Sequence, residues 1–113
     1  MQKIAYVAGP YSALTPEGVQ ANIDSAEKVA RKYTKLGYFC ICPHMNTAHM
    51  EDLQPYEFFL DGSRKIIRTC IDTLILMDNW EDSPGAIDEY TRAVSLNQES
   101  PELIHFIFDD GSE

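Results

Sequence analysis

The acidic side chains crowd one part of the chain, running from Asp78 through the stretch NWEDSPGAIDEY (Asn79–Tyr90), which carries Glu81, Asp82, Asp88 and Glu89 around a Pro-Gly pair. Carboxylates placed at the rim of a cleft act as nucleophiles or as general acids and bases. Helical geometry separates the two adjacent ones. At about 100° per residue, Ala86, Ile87, Tyr90, Ala93 and Val94 share one apolar face, Asp88 points away from it towards water, and Glu89 lies about 95° from its centre, on a flank that borders a cleft. On spacing alone, an ordinary surface glutamate remains the commoner reading of such a position.

Other polar groups have weaker signatures. "AGPYS" (Ala8–Ser12) fits neither the dinucleotide nor the Walker phosphate-loop pattern. It offers a tight turn, backbone N–H groups at Gly9 and around Pro10, and the hydroxyls of Tyr11 and Ser12. These suit sugar or phosphate oxygens, and equally a plain strand-to-helix turn. "HMNTAHMED" gathers His44, His49, Glu51 and Asp52. The spacing lacks the compact pair of a zinc site, so polar substrate contacts from His44, Asn46 or Thr47 are expected rather than a metal. Trp80 either stacks on a flat ligand or covers the edge of the core, and His105 is expected to be structural. Asp78 ends a strand, as the phosphoacceptor of a receiver domain does. The acidic pair that such a domain needs after its first strand is missing from "AGPYS".

The elements that position these groups follow from periodicity. "KIAYVAG" reads as a first strand, and apolar residues from Val19 to Tyr33 recur at helical spacing over about Glu17 to Leu36, closed by Gly37. "YFCIC" is a second strand, and "PHMNTAHMEDLQ" a long loop of the kind that is more often functional than idle. A second helix spans Pro55 to Cys70. "TLILMD" is a third strand, apolar on both faces as in the middle of a parallel sheet. Ser83 and Pro84 look like the N-cap and first residue of a third helix running to about Asn97. "ELIHFIF" is a fourth strand. The order β-α-β-α-β-α-β predicts an α/β, flavodoxin-like (Rossmann-like) three-layer sandwich around a parallel sheet of four to five strands, in one domain covering residues 1–113. Ligands of such sheets bind at the carboxyl ends of the strands, which selects Gly9–Ser12, Pro43–Asp52 and Asp78–Glu89.

Composition narrows the partners. With 113 residues, 44% of them apolar, and a formal charge of −9, the chain holds one modest core and no basic stripe for a nucleic-acid backbone. Its apolar runs are too short to span a bilayer, and it opens directly on a strand rather than a signal peptide. Three cysteines without framework spacing point to a reducing cytoplasm.

Taken in order, "YVAGPYS", "ANIDSAEKVARKYTKLGY", "CPH", "IIRTCIDTLILMDNW" and "SPGAIDE" resemble the nucleoside 2-deoxyribosyltransferase superfamily, which includes nucleoside 5′-monophosphate N-glycosidases. The resemblance covers most of the chain. It implies that Glu89 is the glutamate that attacks the anomeric carbon, that Tyr6 hydrogen-bonds it, and that Asp72 lies near the base. Asp78 is implied to sit where substrate groups gather. Ser83, in a pattern SxGxxxE with Gly85 and Glu89, stands where transferases of free nucleosides carry Asp and monophosphate hydrolases carry Ser. The resemblance therefore leans towards a 5′-nucleotide, since Ser at a helix N-terminus accepts a phosphate that a carboxylate repels. It further implies a cytoplasmic homo-oligomer, a dimer or tetramer whose sites are completed by a neighbouring chain, and a reaction that needs neither cofactor nor metal. Cleavage would pass through an oxocarbenium-like transition state, with Glu89 as nucleophile and Asp72 or Asp78 as the acid. Two other classes fit the same sequence: a nucleotide sensor without turnover, and an interaction protein that uses its acidic surface.

Overall fold

A computed structural model describes residues 3–113. The chain runs β1 (Lys3–Ala8), α1 (Pro16–Lys35), β2 (Tyr38–Ile41), α2 (Pro43–Asn46), α3 (Tyr56–Thr69), β3 (Thr73–Leu76), a 3-10 turn (Trp80–Asp82), α4 (Pro84–Glu99) and β4 (His105–Phe108). All four strands are parallel, in the order β2-β1-β3-β4. The fold is the expected α/β, flavodoxin-like sandwich, with four strands.

Strand alternation divides the core into two layers. Ala5, Val7, Ile75 and Met77 face α1 and pack on Ala26, Ala30 and Tyr33. Tyr6, Ala8, Leu74 and Leu76 face the other way, against Ile67, Ala86 and Ala93 of α3 and α4. β3 is buried along its whole length, as its unbroken apolar run requires. After β2 the chain crosses back over β1 to reach β3, so the topological switch lies between the carboxyl ends of β1 and β3.

Local signals set the helix starts. Thr15 accepts a hydrogen bond from Gly18 N at 3.0 Å, and Ser83 accepts one from Ala86 N at 3.1 Å, each followed by proline at the first helical position. Gly37, at φ 101°, takes the left-handed turn after α1 that a side chain would resist.

Three expectations change. The segment after β2 is not all loop, because Pro43 starts the single turn α2. β4 begins at His105 rather than near Glu102. Glu102 takes a left-handed conformation (φ 63°), and the Asn97 amide pairs with both backbone groups of Ile104 at 2.8 and 2.9 Å, closing the α4–β4 connection. His105 itself is exposed on this edge strand. Finally, α4 is rotated from the face that its apolar residues indicated. Ala86, Glu89 and Ala93 are its buried stripe, while Ile87 is 42% exposed. Small residues let the helix approach the sheet, and that outweighs the pull of Ile87 and Val94.

Candidate active site

Glu89 therefore sits in the stripe that faces the sheet, not on its flank. Its side chain meets Tyr6, which rises from the middle of β1 and is fully buried, and the Tyr6 hydroxyl donates a hydrogen bond to Glu89 Oε2. Burial pushes the Glu89 carboxyl up to about 7; the Tyr6 and Ser63 hydroxyls oppose this and the charge of Asp88 adds to it. Burial, then the adjacent Glu89 charge, raises the Tyr6 phenol well above its ordinary value, so it stays a donor. Oε1 is left as the oxygen for attack or proton transfer.

The pair forms the floor of a cavity of about 710 Å³ at the switch point, walled by the β1–α1 loop, the start of α2, one face of α3 and the start of α4. Gly9, Pro10, Tyr11, Ser12, His44, Ser83 and Gly85 all border it. Thr47 borders it too, so ten of the residues expected from the sequence converge, counting Tyr6 and Glu89.

Their roles differ from the expectation in several cases. His44 is buried, and its Nε2 lies 3.0 Å from the Gly9 carbonyl and 2.9 Å from that of Pro10. Carbonyls only accept, so Nε2 carries the proton, and burial lowers the ring's pKa to keep it neutral. The ring N–H is committed to holding the β1–α1 loop, not to a substrate. Tyr11 Oη donates to Glu51 Oε1 and accepts from His49 N, both at 2.8 Å, which ties that loop to the segment after α2. Gly9 is required by packing, because a Cβ there would lie 2.3 Å from Met77 Sδ. Gly85 opens space at the α4 N-terminus, where a Cβ would approach Tyr56 Oη at 3.0 Å.

Four expected residues lie outside the cavity. Asp72 precedes β3 at the amino edge of the sheet, exposed, with Oδ2 accepting from Ile4 N at 2.8 Å. That is the edge opposite to the strand ends where ligands bind, so it completes the β1 ladder instead of meeting a base. Asp78 is exposed against Gly111 of the C-terminal tail, which has no room for a Cβ within 2.6 Å of Oδ2. Trp80 packs on Tyr90 (5.0 Å between centroids) and Phe108 (6.2 Å), covering the core edge rather than stacking on a ligand. Asn46 borders a separate hollow between α1 and β2. Asp88, expected in water, is half-buried and held by Arg64 through Nε and Nη2, each at 3.1 Å.

Sequence reasoning missed the α3 wall, formed by Tyr56, Phe59, Leu60 and Ser63. Their i, i+3, i+4, i+7 spacing was a readable signal, with Ser63 as a hydroxyl in an otherwise aromatic and aliphatic stripe. Glu51 and Asp82 also border the cavity. Among the described residues, no group of three or more His, Cys, Asp or Glu side chains is placed to hold a metal ion, and no helix is long and apolar enough to cross a membrane.

This arrangement provides a desolvated carboxylate, poised near neutrality and held by one phenol, beneath a cavity large enough for a nucleoside-sized molecule. The family model for DUF4406, a domain of unknown function, matches residues 3–99, and the chain belongs to that family. Every residue that borders the cavity, from Tyr6 to Glu89, falls within the match. No curated protein matches the chain.

Proposed function

We propose that this member of the DUF4406 family cleaves or transfers at the N-glycosidic bond of a nucleoside or nucleoside 5′-monophosphate, with Glu89 as nucleophile. The observation that carries the reading is the buried Glu89 carboxylate, hydrogen-bonded by Tyr6 at the floor of a cavity at the sheet's switch point. The superfamily resemblance supplies the reaction class.

In this reading the sugar lies over Glu89 with its anomeric carbon towards Oε1. The bond between that carbon and the base nitrogen breaks, a bond to Oε1 forms, and the base leaves with a proton from an acid or from solvent. Water or a second base then attacks the same carbon and frees Glu89. Tyr6 holds Oε2 throughout, which fixes the attacking oxygen at small entropic cost. Asp72 and Asp78 are outside the cavity, so the carboxylates left to assist the base are Glu51 and Asp82. The same pocket without turnover would serve as a nucleotide sensor.

Chromatographic detection of free base from nucleosides and 5′-monophosphates, with and without an acceptor base, tests the proposal. Release that disappears in Glu89→Gln supports it. Release that continues unchanged in that variant overturns it, and tight binding with no release by the wild-type protein favours the sensor.

A further inference from the structure

We infer that the glycoside bound in this cavity carries no phosphate, so that an uncharged nucleoside is preferred to its own 5′-monophosphate. The inference rests on the glycosidic reading above and narrows its substrate class, against the lean that Ser83 gave to the sequence. Three carboxylates border the cavity, those of Glu51, Asp82 and Glu89, and among the described residues no lysine or arginine does. His44 supplies no charge, since its ring is buried, neutral and bound to the Gly9 and Pro10 carbonyls. Arg64 of α3 is taken by Asp88 through two hydrogen bonds.

The N-terminus of α4 borders the cavity at Pro84 and Gly85 and would favour an anion. There the Ser83 oxygen already accepts from Ala86 N at 3.1 Å, and Asp82 stands immediately before it. The magnitudes decide the outcome. A helix end improves binding of an anion by roughly twofold to fivefold. One pair of like unit charges about 8 Å apart, at an effective dielectric near 20, weakens it by roughly thirtyfold. A phosphate monoester brings nearly two charges and meets more than one carboxylate. Sugar hydroxyls, by contrast, donate to carboxylates and gain from each of them.

The test compares deoxyadenosine, deoxyguanosine, deoxycytidine and thymidine with their 5′-monophosphates at pH 8. Two measurements are made: kcat/KM of the wild-type protein, and calorimetric binding to the Glu89→Gln protein, which does not depend on turnover. We expect at least one nucleoside to be preferred about tenfold or more over its monophosphate. That preference should narrow between low salt and 0.5 M salt as the repulsion is screened, and shrink severalfold in Asp82→Asn. Equal or better use of the monophosphates overturns the inference, as does a failure of the Glu89→Gln protein to bind any of the nucleosides. If no base is released from either set or from the corresponding ribonucleosides and their 5′-monophosphates, the glycosidase reading falls, and the binding ratio alone decides whether the cavity rejects phosphate.

Discussion

The Tyr6 hydroxyl and the Glu89 carboxylate, 83 positions apart in the chain, meet through a hydrogen bond inside the core, where α4 presents its only buried acid to the centre of β1. A carboxylate in that place works against folding once it is charged. The folded Glu89 carboxyl titrates at about 7, above its ordinary 4.5. Its favourable contribution is therefore complete below pH 4.5 and is lost as pH rises through 7. Glu89→Gln lacks this loss. The variant should be more stable than the wild-type protein above pH 7 by up to roughly 3 kcal/mol, with the difference shrinking towards pH 5, while base release disappears. Urea unfolding at several pH values measures it. A variant less stable than wild type at pH 8 would show that Glu89 is not held as a strained, functional acid.

Under the proposed function the same titration would govern activity. In the proposed reaction only ionised Glu89 attacks, so kcat/KM should climb with pH along a limb centred near 7. Two variants should move that limb in opposite directions. Tyr6→Phe removes the hydroxyl that favours the carboxylate, so the limb moves to higher pH and the rate at pH 7 drops about tenfold to a hundredfold, the worth of one charge-assisted hydrogen bond. Asp88→Asn removes the neighbouring negative charge that disfavours ionisation, so its limb moves to lower pH. A pH–rate series on the three proteins gives the signs directly; shifts in the same direction would contradict the assignment to Glu89.

His44 offers a prediction about positioning. Its single ring proton is shared by the Gly9 and Pro10 carbonyls. His44→Ala should destabilise the fold by roughly 1–3 kcal/mol, the cost of leaving such acceptors without a partner. It should also raise KM more than it lowers kcat, because the β1–α1 loop walls the cavity while Glu89 is untouched. Hydrogen exchange would show the protection loss centred on residues 9–15. A selective fall in kcat with KM unchanged would mean that His44 acts on the reacting atoms instead.

These residues also show what the sequence made legible. Strands and the start of α4 were readable because the buried strands β1 and β3 are short apolar, β-rich runs and because Ser83 precedes a proline as a cap. The switch-point rule then placed Gly9–Ser12, Pro43–Asp52 and Asp78–Glu89 at one edge before any contact was known, and each of the three contributes residues to the cavity. The orientation of α4 was not readable from hydrophobicity, because the helix approaches the sheet through Ala86 and Ala93 and buries a glutamate between them. An amphipathic count treats that glutamate as surface and Ile87 as core, and both assignments reverse. Asp72 and Asp78 were misplaced for a related reason. A strand's sequence gives the face of each residue, yet whether a flanking acid reaches the cavity depends on which edge it occupies and on what covers it, here Ile4 N and Gly111.

Asp72 provides the sharpest contrast between resemblance and geometry. Its carboxylate accepts from Ile4 N at 2.8 Å at the amino edge of the sheet, and it does not border the cavity. Asp72→Ala should therefore cost stability, about 0.5–1.5 kcal/mol for an exposed hydrogen bond at the end of a ladder. It should leave kcat, KM and the pH–rate limb within about twofold of wild type, well inside the effect expected for loss of a general acid, typically a hundredfold or more. Asp72→Asn keeps an oxygen for Ile4 N and should recover most of the stability. Thermal unfolding and steady-state kinetics on the two variants separate the roles. If both variants lose base release by a hundredfold while Asp72→Asn keeps its stability, Asp72 reaches the substrate after all and the division between the two edges of the sheet fails. The geometry predicts instead that stability follows the oxygen at position 72 and that turnover does not depend on it.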